Sequence, residues 1–160
     1  MRLAAEVLLG VISDTHGLLR PEAVEALRGS DLILHAGDLG SAEILEELGR
    51  ITPVKAVRGN VDSSPWFDSL PQTEVIESGG LSLYMLHDLK QLDLNPSAAG
   101  FAAVICGHSH TPMNEMRNGV LYFNPASAGP RRFKLPICVG KLRIRDGVIA
   151  GEIIELHLAK

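Results

Sequence analysis

Val7 to Gly17 reads VLLGVISDTHG, and the switch at its midpoint decides the fold. Val7, Leu8, Leu9, Val11 and Ile12 form a nearly unbroken apolar run, the pattern of a parallel strand covered on both faces. Ser13, Asp14, Thr15 and His16 follow at once, and Gly17 frees the backbone to turn. In open α/β sheets ligands bind beyond the carboxyl ends of the strands, which is where Asp14 and His16 fall. Alternate residues at a strand end project the same way, so both side chains can reach one ion. An isolated Asp-x-His is more often a polar loop after a core strand. The weight comes from recurrence of the same event along the chain.

Working outward, Pro21 to Arg28 reads as a helix with Pro in its first turn and Gly29 beyond its end. Asp31 to Ala36 (DLILHA) is a second buried strand with Gly37-Asp38 at its tip. Ser41 is a good N-cap for the amphipathic AEILEELGR. Pro53 to Val57 is a third strand, ending in Arg58-Gly59-Asn60-Val61-Asp62. This βαβαβ order predicts a parallel sheet with right-handed crossovers. Beyond Asp62 the rhythm changes. Ser63 to Leu70 is irregular, and Trp66, Phe67 and Leu70 form an apolar cluster suited to an interface or to covering a cleft. Glu74–Ser78 and Leu81–His87 read as a hairpin closed at Ser78-Gly79-Gly80, and Pro96–Gly100 as a short helical turn. Ala102 to Cys106 is a further strand, ending in Gly107-His108-Ser109-His110. Val120–Phe123, Ile137–Ile144 and Val148–Leu156 complete the strands, the last two joined by an Asp146-Gly147 hairpin signal. The expected fold is one domain over residues 1–160, an α/β sandwich of two mixed β-sheets packed face to face and flanked by helices.

Composition agrees with a folded domain and narrows its partners. The 160 residues are 46% hydrophobic and 21% charged, which suits a globular chain able to bury a core. A net charge of −4 and the lack of a basic run beyond Arg131-Arg132 argue against a nucleic-acid surface. Cys106 and Cys138 lie in separate apolar runs and read as reduced core thiols. No signal pattern and no membrane-length apolar run stands out, so a cytoplasmic location is expected.

The polar residues at the strand ends are Asp14, His16, Asp38, Asn60, His87, His108 and His110. Oxygen donors mixed with imidazole suit Mn²⁺, Fe, Zn²⁺ or Ni²⁺. Seven ligands exceed one transition ion but suit two that share a carboxylate. Paired ions about 3.5–4 Å apart clamp the attacking and leaving oxygens of a phosphoester displacement. Singly, each piece is weak: a lone histidine usually packs or caps, as expected for His35 and His157, and Gly-Asp or Gly-Asn is usually a turn. Two histidines two apart in GHSH are harder to explain as core.

The ordered set SDTHG, HAGD, GNVD, His87 and GHSHTP resembles the calcineurin-like metallophosphoesterases, and within them the small bacterial and archaeal YfcE-like phosphodiesterase branch. Asn124 to Arg132 (NPASAGPRR) is similar to that branch's NPGS…PR segment, so the resemblance runs from Leu8 to about Arg132. It implies that Asp14, His16 and His110 hold one metal and Asn60, His87 and His108 the other, with Asp38 bridging. It also implies catalytic roles for Asp38, Asn60 and His108, and a metal-bridging hydroxide that attacks phosphorus in line. The implied cofactor is two divalent ions, Mn²⁺ first, with Ni²⁺, Fe, Zn²⁺ or Mg²⁺ as alternatives. The implied partner is a small or activated phosphodiester, and relatives in this branch form homodimers and homotetramers.

Two departures from the family pattern matter. Many members carry GNH followed by Asp or Glu, and that histidine is thought to protonate the leaving group. Here the position is Val61, which counts against efficient monoesterase activity, since a general acid contributes about 10²–10⁴-fold. His87 is followed by Asp88 where the family usually has Gly, and a side chain turned toward the surface is the preferred expectation. In the later segment Ser127 or Arg131 is a candidate substrate-binding residue, a guanidinium being suited to a phosphate. The alternative function is a catalytically silent metal-binding scaffold of the same fold, as in a eukaryotic retromer subunit, and less favourably a phosphomonoesterase.

Overall fold

A computed structural model of the chain describes residues 6–60, 62 and 65–158. Strand β1 (Val7–Ile12) pairs in parallel with β2 (Leu32–His35), and β2 in parallel with β3 (Val54–Ala56). The crossovers are α1 (Pro21–Leu27), opened by Pro21, and α2 (Ala42–Gly49), whose N-cap Ser41 accepts from the Glu43 N–H. The chain then leaves this sheet. β4 (Thr73–Ser78) and β5 (Leu81–Leu86) form an antiparallel hairpin, and β6 (Ala103–Ile105) pairs in parallel with β5. β7 (Met113–Arg117) and β8 (Val120–Asn124) are antiparallel, with β8 parallel to β6. β9 (Cys138–Arg145) returns to the first sheet antiparallel to β1, and β10 (Val148–Glu155) closes its edge.

The result is an α/β sandwich of two mixed five-stranded sheets, ordered β10-β9-β1-β2-β3 and β4-β5-β6-β8-β7. Leu9, Val11 and Leu34 from one sheet meet Leu83, Ile105 and Phe123 from the other in the shared core. The helices cover the outer face of the first sheet only, through Ala23, Leu27, Ile44 and Leu48. On the second sheet, Leu89, Leu92, Leu94 and Phe101, from a short 3-10 turn and loop, cover Tyr84 and Val104. Phe67 and Leu70 join the helix-side core, leaving Trp66 the exposed member of the apolar cluster.

β7 is an addition to the sequence reading. Its MNEMR is too polar to register as a strand, but Asn118-Gly119 joins it to β8 with φ of 50° and 78°, the backbone of a tight hairpin turn. Both cysteines are free and buried, and burial pushes the Cys106 thiol up to about 12. Among the described residues no helix is long and apolar enough to cross a membrane.

Candidate metal centre

The parallel strands β1, β2, β3, β5, β6 and β8 all end at one edge of the sandwich, so the seven candidate ligands from five loops meet there. Their convergence is not the extended alternation expected from sequence. β1 stops at Ile12, and Asp14 and His16 take left-handed backbones with φ of 55° and 47°. Asp38, His108 and His110 do the same, with φ of 58°, 69° and 60°. The loop after β1 is fixed against the loop after β2 by three backbone bonds. Asp14, His16 and Gly17 N–H groups donate to the carbonyls of Gly37, Asp38 and Leu39 at 3.0, 3.0 and 2.7 Å.

Asp14, His16 and His110 form one group whose ligand atoms lie within 4.8 Å of one another, and Asp38, His87 and His108 form a second. Asp38 joins the groups. Its Oδ2 lies 3.1 Å from His87 Nε2 and 3.8 Å from His16 Nε2. Asp14 is fully buried and divides its two oxygens between tasks. Oδ2 accepts from the Ser13 hydroxyl (2.7 Å) and the His108 N–H (3.1 Å). Oδ1 has no hydrogen-bond donor and faces the Nε2 atoms of His110, His87 and His16 at 3.4, 3.8 and 3.9 Å.

The surrounding groups hold these ligands in orientation. His87 Nδ1–H donates to the Ala36 carbonyl (2.7 Å), which fixes the tautomer and turns Nε2 inward. Burial works to lower the His87 pKa, but the Asp38 hydrogen bond, the Asp14 charge and the Ala36 carbonyl outweigh it and raise the value. A proton and a cation therefore compete for this nitrogen. His35 is fully buried; its Nδ1 accepts from Gly37 N–H (3.1 Å), so Nε2–H faces Thr15 Oγ1 (3.0 Å). Thr15 in turn donates to the Leu39 carbonyl (3.0 Å). His35 thus ties the Asp14 loop to the Asp38 loop, a sharper form of the supporting role read from sequence. Close approach also demands glycine: a Cβ on Gly59 would collide with the backbone N and carboxylate of Asp38.

The donor chemistry fits a divalent cation. Asp14 Oδ1 and His16 Nε2 are buried atoms without a hydrogen-bond partner. The inward oxygen of the Asn60 amide lies 3.1 Å from His87 Nε2 and 3.1 and 3.0 Å from the Asp38 carboxylate oxygens. Oxygen packed against the Asp38 carboxylate oxygens, and against His87 Nε2 when that nitrogen carries no proton, is unfavourable unless a cation lies among them or the amide turns over to donate. Oxygen and imidazole donors without thiolate match Mn²⁺, Fe or Zn²⁺.

The remaining candidates lie elsewhere. Ser127 is buried, its hydroxyl donating to the Asp14 carbonyl (2.9 Å) and accepting from Gly129 N–H (3.1 Å), so it braces the ligand loop from behind. Arg131 is exposed and donates to the Leu135 carbonyl (3.1 Å). Its neighbour Arg132 instead lines a cavity beside His108. Asp88 is only partly turned away: Oδ1 caps Lys90 N–H (3.1 Å) while Oδ2 lies 3.9 Å from His108 Nε2. Val61 lies outside the described residues. Two supports went unread in the sequence. Asn124 donates to the Gly107 carbonyl (2.9 Å) and Ser109 hydroxyl (3.1 Å), holding the GHSH loop, and its place before Pro125 at a strand end was the available signal. Asp62 accepts from Gly59, Leu39 and Gly40 N–H groups at 2.9, 3.2 and 3.1 Å.

Fold and donor set together define a metal-binding α/β sandwich of the metallophosphoesterase class. The calcineurin-like phosphoesterase superfamily domain matches residues 7–147, and the chain belongs to that superfamily, whose members bind divalent metals. A probable metallophosphoesterase of Methanothermobacter thermautotrophicus is 36% identical, the match covering 93% of this chain and 92% of that protein. A second, from Methanocaldococcus jannaschii, is 34% identical over 90% of this chain and 79% of its own length. Among solved structures, an archaeal phosphodiesterase shares the fold with a TM-score of 0.76 at 21% identity, covering 92% of this chain and 100% of that one. The Zn²⁺ complex of Vps29 from Entamoeba histolytica shares it with a TM-score of 0.72 at 22% identity, covering 94% and 100%.

Proposed function

We infer that this chain is a metal-dependent phosphodiesterase with a dinuclear centre, acting on small or activated diesters. One observation carries the reading: Asp38 Oδ2 stands between the two ligand groups, 3.8 Å from His16 Nε2 and 3.1 Å from His87 Nε2. That position supports a role as the shared carboxylate. Two divalent ions, Mn²⁺ first among them, would supply a water-derived nucleophile near neutral pH and neutralise charge developing on phosphate. Asp14, His16 and His110 would hold one ion and Asn60, His87 and His108 the other. Ser13 and the His108 N–H keep Asp14 Oδ2 occupied, so Asp14 presents Oδ1 alone. Ala36 keeps His87 in the tautomer whose Nε2 points inward. In the reaction hydroxide adds to phosphorus and one P–O ester bond breaks. The products are a phosphomonoester and an alcohol whose oxygen takes its proton from solvent.

The scaffold reading rests on the Vps29 likeness, which is one of fold. All seven candidate positions here carry competent ligand types, which favours the enzyme. The test is an aryl phosphodiester beside the matching monoester, with chelator-stripped protein reloaded with Mn²⁺, Mg²⁺, Ni²⁺ or Zn²⁺ and its metal content measured. Metal-restored cleavage that prefers the diester, at two ions per chain, is the expected result. Folded, metal-loaded protein that turns over neither ester would overturn the reading in favour of a scaffold.

A further inference from the structure

Two cavities open on either side of the second ligand group, and they differ in chemistry. The first, about 440 Å³, is lined by Asn60 and His87 and walled mainly by the polar Arg58, Gln72, Thr73 and Gln91, with Tyr84 and Leu86 also lining it. The second, about 770 Å³, is walled by Leu89, Cys106, Pro112 and Met113, with Arg132 also lining it. Among the described residues, only Asp88 and His108 line both. Their side chains, 3.9 Å apart at Oδ2 and Nε2, form the ridge between them. Asp88 holds that position because its other oxygen caps the Lys90 N–H.

A phosphodiester carries two arms on one phosphorus. With phosphorus beside His108, on the side of the paired ligand groups and clear of the Asp88 carboxylate, one arm can enter each cavity. The walls of the first offer amides, a hydroxyl and a guanidinium, which suit an arm rich in hydrogen-bonding groups. The apolar walls of the second suit an aromatic or alkyl arm. The geometry points to an asymmetric substrate class: diesters joining a polar, nucleoside- or sugar-like alcohol to an apolar alcohol. This deepens the phosphodiesterase reading and rests on it. Gln72, Thr73, Leu89 and Met113 would determine specificity through the arms, without touching the reacting atoms.

The experiment compares two 4-nitrophenyl diesters on the metal-loaded protein, one with a methyl second arm and one with thymidine through its 5′ oxygen. Gln72→Ala and Thr73→Val, both at exposed positions, are expected to raise KM for the thymidine ester about tenfold and to leave the methyl ester unchanged. Leu89→Ala and Met113→Ala, made separately so that one folding failure does not decide the matter, are expected to raise KM for both esters, which share the aryl arm. In each case kcat holds. If the thymidine ester binds no better than the methyl ester and the first pair moves neither KM, the two-arm assignment is overturned while diester hydrolysis stands. If the wild-type protein cleaves neither ester, the phosphodiesterase reading fails, and the assignment with it.

Discussion

Neutralising Asp62 by Asp62→Asn tests whether the centre is held together by that carboxylate. Only 3% exposed, it accepts three backbone N–H groups from the loops that carry Asp38 and Asn60. Oδ2 takes Gly59 and Leu39, and Oδ1 takes Gly40. Asparagine has nearly the same shape but a single acceptor oxygen. Placed where Oδ2 stood, it keeps two bonds and sets an NH2 donor against the Gly40 N–H. One hydrogen bond to a charged group is lost, at about 2 kcal/mol, and the two that remain fall to neutral strength, at about 1 kcal/mol each. The sum, about 4 kcal/mol, should lower the melting temperature of chelator-stripped protein by roughly 10 °C for a chain of this size. Metal affinity should fall as well, because the two loops lose their common anchor. The family pattern suggests a different job for this residue, orienting an imidazole at position 61, and in that case the Val61 chain would not miss its charge. A metal-free Asp62→Asn protein melting within about 2 °C of wild type would refute the clamp.

Asp38→Asn should cost more than the roughly 10–100-fold that losing a supporting partner costs in metal affinity, with both ions weakened together in a calorimetric titration. Gly59→Ala forces a methyl into the Asp38 carboxylate and should destabilise by about 1–3 kcal/mol while reducing metal stoichiometry, read by melting and elemental analysis. Burial lowers the His35 pKa to about 4, overcoming the pull of Asp14, Asp62 and Asp38, with His87 adding to the depression. Because the unfolded chain binds the proton near 6.5, stability present above that pH should drain away between 6.5 and 4, by about 3 kcal/mol. Denaturant melts of His35→Gln across that window should lose this part of the slope.

The sandwich was legible because its strands are short apolar runs that end abruptly in Asp, Asn or His, and because Asp146-Gly147 announces the final hairpin. β7 escaped because an edge strand need not be apolar. The cover of the second sheet went unread because Leu89, Leu92, Leu94 and Phe101 supply it from a 3-10 turn and loop, which leaves no 3.6-residue period to read. At the centre, residue types and order pointed to the candidate ligands, since the seven fall just beyond the ends of five strands. The supporting roles did not show, because they depend on which backbone N–H a carboxylate meets across loops distant in sequence. Asp62 reaches Leu39 across 23 residues, and Ser127 reaches Asp14 across 113. The same limit separates Arg131 from Arg132: adjacent in sequence, only the second lines the cavity.

Five candidate ligands take left-handed backbones, so their convergence differs from the extended-strand picture. A strand would send Asp14 and Thr15 to opposite faces. The left-handed turns at Asp14 and His16 instead bend the chain so that both side chains enter the centre while Thr15 reaches back to His35. Glycine would adopt this backbone without penalty but would bring no ligand. Aspartate and histidine tolerate it better than most residues, at a cost still on the order of 1 kcal/mol per position. The three bonds from the Asp14 loop to the Asp38 loop and the Asp62 clamp oppose that cost within the protein itself. None of them relieves Asp14 Oδ1, a buried acceptor without a hydrogen-bond donor, or the inward oxygen of Asn60 set against the Asp38 carboxylate. Backbone strain is thus matched by backbone bonds, whereas the crowding of acceptors is what a divalent cation would offset.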